Sequence, residues 1–192
     1  KSTTCSLVHH ILKKNKIKNK LAGNIGKPIL DFKFTKKEVY VIETSSFQLE
    51  YSKFVKPYCA AILNITQDHL EWHGSKKKYI KSKIKIFKNQ TKNDIAFLDD
   101  FSLKKIYRNN SFLGKLKFIK SNPIQSKSIQ NRYLQLEANV DNVKFAYFIT
   151  KVFNINKKNF LKSLQSFSGL SHRHEIFLKI GNCTFINDSK AT

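Results

Sequence analysis

Arginine is nearly missing from a chain that is otherwise strongly basic. Of 192 residues, 36 are lysine or arginine against 13 acids, a formal net charge of +23, yet the only arginines are Arg108, Arg132 and Arg173. Proteins that read phosphates and base edges lean on arginine's bidentate fork, so a lysine excess spread over the whole chain reads as a compositional habit. A basic nucleic-acid-binding module is therefore the lesser reading. It would also need aromatics interleaved with cations on one exposed face, whereas Phe87, Phe97 and Phe153 fall in core-like positions. Cysteine is scarce too: Cys5, Cys59 and Cys183 are odd in number and share no ligand spacing, which argues against a disulfide framework or a zinc site and fits a cytoplasmic, reducing setting. No apolar run approaches the roughly 18 residues of a membrane span. The basic start, interrupted by His9 and His10, has no apolar targeting core. There is no internal repeat and no low-complexity linker, and the length suits one ordinary domain with the beginning of another.

What is present is organised around Val39-Tyr40-Val41-Ile42-Glu43-Thr44-Ser45-Ser46, an apolar β-branched run that stops at a carboxylate. It predicts a buried strand delivering Glu43 to its carboxyl end, where open α/β sheets bind ligands. Glu43 then either faces a cation or phosphate or begins a solvated loop. A second run, Cys59 to Ile65, has the same grammar and ends in Thr66-Gln67-Asp68-His69. Lys1-Ser2-Thr3-Thr4 opens a helix in the manner of the tail of a phosphate-binding loop, and Gly23-Asn24-Ile25-Gly26 makes a tight turn.

The spacing predicts a helix over 75–87. At 100° per residue from Tyr79, Lys83 falls at about 40°, between Ile86 at about −20° and Phe87 at about 80°, in the middle of the apolar face. Lys81, Lys85 and Lys88 fall on the opposite, solvated side. Lys83 either packs its stem while its ammonium snorkels to water or is neutralised. Further along, strands are expected at 94–98 and 116–119, helices at 103–109, 139–153 and 157–166, and an antiparallel addition within 128–137. Residues 167–171 read as a hinge before a hairpin at 175–180 and 184–187. Strands alternating with helices predict an α/β, doubly wound, mainly parallel sheet.

With these residues in view the chain resembles the Mur ligase family, and within it the activity that joins D-glutamate to UDP-N-acetylmuramoyl-L-alanine. The resemblance rests on Lys1-Ser2-Thr3-Thr4, Gly23-Asn24-Ile25-Gly26, Glu43-Thr44-Ser45-Ser46-Phe47-Gln48-Leu49, Asn64 to His69, Tyr79 to Lys83, Gly169 to Glu175 and Ile186 to Thr192. It implies an ATP-binding central domain over 1–170, truncated at its start, and the first hairpin of a C-terminal domain over 171–192. It also implies ATP and Mg2+ as cofactors and amide formation through an acyl phosphate. By matching position, Lys1 would contact the β/γ-phosphates, Ser2 or Thr3 with Glu43 the first magnesium, and His69 with a carbamylated Lys83 the second. Asn24 and Ser45 would meet the muramoyl substrate, and Asn139 and Asn142 would lie near adenine. Arg173 and Asp188 would clamp the nucleotide, Lys190 would contact phosphate and Thr192 D-glutamate. Ligases of this type that add another amino acid, or glutamate to a folate, are the alternative within the class.

Overall fold

The computed structural model describes residues 1–66 and 68–190, arranged as two compact units: Lys1–Ile42 together with the stretch from Pro123 onward, and Glu43–Asn122. The chain begins the first unit with helix α1 (Ser2–Lys14), which buries Leu7, Val8, Ile11 and Leu12 on one face. Lys13 and Lys14 sit at its negative end, and Asn15 stops it by donating its side-chain amide back to the Ile11 carbonyl at 2.8 Å. Strand β1 (Asn19–Gly23) and strand β2 (Val39–Glu43) form a two-stranded sheet. Between them the turn at 23–26 depends on Gly26, whose φ is +81° and where a Cβ would stand 2.5 Å from the Leu21 carbonyl oxygen.

The second unit holds the short helix α2 (Ser46–Tyr51), strand β3 (Cys59–Ala61), the single turn α3 (Leu70–His73) and helix α4 (Lys76–Ile84), which tightens into a 3₁₀ turn over Lys85–Phe87. Strand β4 (Ile95–Leu98), helix α5 (Phe101–Asn109) and strand β5 (Lys115–Phe118) complete it. The strands pair in parallel in the order β3-β4-β5, with helices in the connections, as the alternating pattern requires. Ala60, Ala96 and Leu98 of this sheet, with Ile62 just beyond β3, bury against Ile84, Phe87, Leu103 and Tyr107.

Back in the first unit come α6 (Arg132–Gln135), α7 (Val140–Lys151), α8 (Lys157–Leu164) and an antiparallel hairpin of β6 (Glu175–Ile180) and β7 (Cys183–Asn187). Its core joins α1 to α7 and α8 through Leu7, Ile11, Val143, Ala146, Phe160 and Leu164. The α/β class, the parallel pairing and the hairpin match the sequence reading. The antiparallel addition expected within 128–137 is absent: a 3₁₀ turn at Ser126–Ser128 and α6 stand there. The cause is Asn131, whose side chain accepts from the Leu134 N–H as a helix cap and donates to the carbonyls of Leu164 and Phe167 at 2.9 and 2.7 Å. Its hydrogen bonds fix this segment against the end of α8 and leave it no role as a strand.

Candidate functional site

The expected site residues divide between the two units. In the first, α1 has no side-chain cap and no acid in its first turn, so the amide groups that start the helix point outward beside the hydroxyls of Ser2, Thr3 and Thr4. Thr3 and Thr4 are buried, Ser2 is half-buried and Lys1 is exposed. The Arg173 guanidinium reaches Ser2 Oγ at 3.4 Å, across 171 positions of sequence. The Thr4 hydroxyl donates to Asn142 Oδ1 at 2.7 Å, the Asn142 amide donates to Asn139 Oδ1 at 2.9 Å, and the buried Asn139 amide donates to the Tyr133 carbonyl at 2.8 Å. The two asparagines thus tie the start of α7 to the first turn of α1, a fastening role that no local pattern signals.

At the hairpin, both Asp188 carboxylate oxygens are held by one residue: Oδ1 accepts from the His174 backbone N–H at 3.0 Å and Oδ2 lies 3.2 Å from His174 Nδ1. Lys190 is exposed, and its backbone N–H donates to the His172 carbonyl at 3.1 Å. Asn24 is exposed on its glycine turn. Thr192 lies outside the described residues.

Along β2 the order of burial reverses expectation. Ile42 is 40 % exposed and Val39, Tyr40 and Val41 are only half-buried, while Glu43 is 3 % exposed. The run is not a buried strand, and Glu43 does not begin a solvated loop. Glu43 is the most enclosed residue of β2, and the chain turns almost at once into α2. That helix carries a capping box: Ser45 Oγ accepts from the Gln48 N–H at 3.2 Å, and Gln48 Oε1 accepts from the Ser45 N–H at 2.9 Å. Ser-Ser-Phe-Gln is the S-x-x-Q signature, so α2 was legible and missed.

His69 adopts a left-handed backbone (φ 53°) just before α3. Asp68 brackets it, accepting from the His69 N–H at 2.9 Å and pairing with Nε2 at 3.2 Å. Lys83 is half-buried, with Nζ 4.4 Å from the centre of the Tyr79 ring. Its neighbours do not share one environment. Lys81 and Lys88 are exposed, but Lys85 pairs with Glu50 at 2.7 Å and donates to the Glu50 carbonyl at 3.2 Å, which corrects its assignment to a solvated face. The Lys85 ammonium and then the Ser82 hydroxyl hold the Glu50 carboxyl below its ordinary range.

Sequence reasoning also missed His73. It is 5 % exposed, with Nε2 2.9 Å from Ser46 Oγ and Nδ1 3.4 Å from Ser82 Oγ. Burial holds its imidazole below the ordinary 6.5, with the Glu50 carboxylate pulling the other way. Its spacing of four residues from His69 was the only cue. Burial pushes the Cys59 thiol up to about 12, which makes it a poor nucleophile, and Cys5, Cys59 and Cys183 are not joined in disulfides.

Magnesium takes oxygen ligands, keeps several waters and needs only one or two carboxylates when phosphates share it. Among the described residues no three His, Cys, Asp or Glu side chains converge on a point. An enclosed carboxylate such as Glu43, 3 % exposed, suits a magnesium shared with phosphates rather than a protein-caged metal. No helix among the described residues is long and apolar enough to cross a membrane.

Comparison with known proteins follows the same lines. The family profile of the Mur ligase middle domain matches residues 1–167. The UDP-N-acetylmuramoylalanine–D-glutamate ligase of Rickettsia felis is 36 % identical over 215 residues, covering 100 % of this chain and 47 % of its own length. The enzyme of that name from Thermosipho melanesiensis is 38 % identical over 197 residues, covering 100 % and 44 %. The chain thus spans about half the length of the curated relatives it matches. Among solved structures, MurF of Acinetobacter baumannii aligns with a TM-score of 0.70 at 19 % identity over 97 % of this chain and 48 % of its own. MurF ligase of Thermotoga maritima in complex with ADP aligns at 0.69 and 18 % identity over 97 % and 50 %. At those identities the likeness speaks for the fold.

Proposed function

Because the chain belongs to the Mur ligase family, we propose that it is the nucleotide-binding part of an ATP-dependent, cytoplasmic ligase that joins D-glutamate to UDP-N-acetylmuramoyl-L-alanine in peptidoglycan precursor synthesis. The observation that carries the chemistry is the meeting of Arg173 with Ser2 at the uncapped start of α1. A helix N-terminus, a hydroxyl and a guanidinium fork at one place are what a phosphate chain requires. The two ligases named for this reaction, similar over the whole of this chain, support the choice of substrates.

In this reading residues 1–170 are the central ATP-binding domain and 171–192 begin a C-terminal one. The second assignment is supported by a hairpin whose Ile176, Phe177, Leu178, Ile180, Phe185 and Ile186 are each 43–61 % exposed and await cover. Lys1 and the first amides of α1 bind the β/γ-phosphates, Arg173 and Asp188 orient the nucleotide, and Lys190 meets phosphate. Asn139 and Asn142 hold the helix start beside adenine. Asn24 and the Ser45 hydroxyl hydrogen, left over from its capping role, orient the muramoyl substrate, and Thr192 orients D-glutamate. Ser2, Glu43, His69 and Lys83 would each serve as a magnesium ligand, and the metal when bound neutralises charge on the transferring phosphoryl group. The γ-phosphoryl passes to the substrate carboxylate, ADP leaves, and the D-glutamate amine displaces phosphate from the acyl carbon to form the amide.

Lys83 suits its role as a carbamate. Its neutral amine attacks carbon dioxide, an N–C bond forms and one proton is released, so a cation on a half-buried helix face becomes an oxygen anion.

The test is Glu43→Gln in the full-length ligase. Turnover is expected to fall by about 100-fold or more, on the scale of a lost electrostatic contact in the transition state, with amide product followed by mass spectrometry and the fold by circular dichroism. Near-normal turnover at limiting magnesium by a folded variant would remove Glu43 from the metal site.

A further inference from the structure

One buried titratable group has no part in the reaction just described. His73 is 5 % exposed and stands between three elements of the second unit: Ser46 at the start of α2, its own turn α3, and Ser82 in α4. The Ser82 hydroxyl has a single hydrogen, and Glu50 Oε2 at 2.5 Å is a closer acceptor for it than the Lys78 carbonyl at 3.1 Å, so it goes to Glu50. The Ser82 oxygen is then an acceptor for His73 Nδ1–H at 3.4 Å, which leaves Nε2 with its lone pair to accept from the Ser46 hydroxyl at 2.9 Å. One neutral tautomer satisfies every member of the chain Ser46–His73–Ser82–Glu50, and Lys85 closes it on Glu50 at 2.7 Å.

The same ring shares its walls with both proposed ligands of the second magnesium. Phe47 lies 4.9 Å from the His69 ring and stacks at 5.6 Å on His73. Tyr79 lies 5.1 Å from His73 and 6.5 Å from His69, and carries Lys83 Nζ 4.4 Å above its face. The His73 backbone N–H donates to the His69 carbonyl at 3.1 Å. Ser46, which His73 holds, is three residues beyond Glu43.

We propose that His73 is a positioning residue for the ligase reaction: its two ring hydrogen bonds lock α4, which carries Lys83, to the start of α2, and its ring fixes the Phe47 and Tyr79 walls that set His69 and Lys83. This rests on the reading of Lys83 and His69 given above. His73 touches neither substrate nor phosphate in this role. It acts as outer partners of metal ligands do, whose loss typically costs about 10–100-fold in metal affinity or activity.

The experiment uses the full-length ligase and the variants His73→Phe, which keeps an aromatic ring but neither hydrogen bond, and His73→Gln, whose amide restores polarity near Nε2. Three readouts are compared: kcat against the KM for ATP, the magnesium concentration giving half-maximal rate, and the carbon-13 NMR signal of a lysine carbamate formed from labelled bicarbonate. For His73→Phe, kcat is expected to fall by about tenfold and half-saturating magnesium to rise by about as much. The KM for ATP should change less than about twofold, since the proposed nucleotide contacts lie on other elements, and the carbamate signal should shrink. His73→Gln should recover part of each. If His73→Phe does not fold, Ser46→Ala removes only the Nε2 partner and should shift the magnesium dependence in the same direction. A folded His73→Phe, or failing that Ser46→Ala, with unchanged magnesium dependence and a full carbamate signal overturns the role of His73 and leaves the ligase reading standing. Wild-type enzyme without a carbamate signal, together with an active Lys83→Ala, overturns the reading of Lys83 and this inference with it.

Discussion

Replacing Asn131 should unfasten the first unit, by an amount its three hydrogen bonds set. The side chain caps α6 through the Leu134 N–H at 3.3 Å and clamps the end of α8 through the carbonyls of Leu164 and Phe167. Loss of the cap costs about 1 kcal/mol. Loss of two hydrogen bonds to carbonyls of buried residues costs about 1 kcal/mol each, and more where a carbonyl is left without a donor. Asn131→Ala should therefore destabilise by about 2–4 kcal/mol, additivity being imperfect among neighbouring bonds. With a urea slope of about 2 kcal/mol/M, the unfolding midpoint followed by far-ultraviolet circular dichroism should fall by about 1–2 M. Asn131→Asp separates the two contributions. It keeps the capping oxygen and adds a negative charge at a helix start, which alone would stabilise, but it turns both amide hydrogens into a carboxylate oxygen facing two carbonyl oxygens. It should be at least as unstable as the alanine variant. An aspartate variant with its midpoint within about 0.3 M of wild type would show that the clamp contributes nothing and that Asn131 is only a helix cap.

Two other perturbations follow from the structure. In the full-length ligase, Lys83→Ala should abolish amide formation, with part of it restored by added short carboxylic acids that occupy the vacated place, whereas the exposed Lys81 should tolerate alanine; equal losses at both would sink the assignment, and Lys85→Ala is a poor control because it strips Glu50 of its partner. Stability should decline as pH falls below about 6.5, because burial holds His10 below its ordinary 6.5 and the unfolded chain then takes up the proton first. That contribution is complete above the unfolded value and is lost as pH drops through the folded one. His10→Gln should flatten the dependence of the urea midpoint on pH between about 7.5 and 5, and an unchanged slope would refute it.

The sequence determined those elements whose causes are local. A β-branched run sets β2, Ser75 and Asp100 cap α4 and α5 through their own next residues, and the 3.6-residue spacing of Val143, Ala146 and Thr150 sets the buried face of α7. The family was also legible, since Lys1-Ser2-Thr3-Thr4, Glu43-Thr44-Ser45-Ser46 and the Gly169 to Glu175 stretch are short contiguous motifs. Only the tertiary structure decided what those residues meet. Arg173 at Ser2, Thr4 at Asn142, Asn131 at Leu164 and His73 at Ser46 are pairings across tens to more than a hundred positions, and no periodicity encodes them. Burial is decided at that level as well. β2 is a buried apolar strand on paper, but the fold encloses Glu43 and leaves Ile42 in solvent, because exposure depends on which atoms fold over a residue rather than on the residue's own hydropathy.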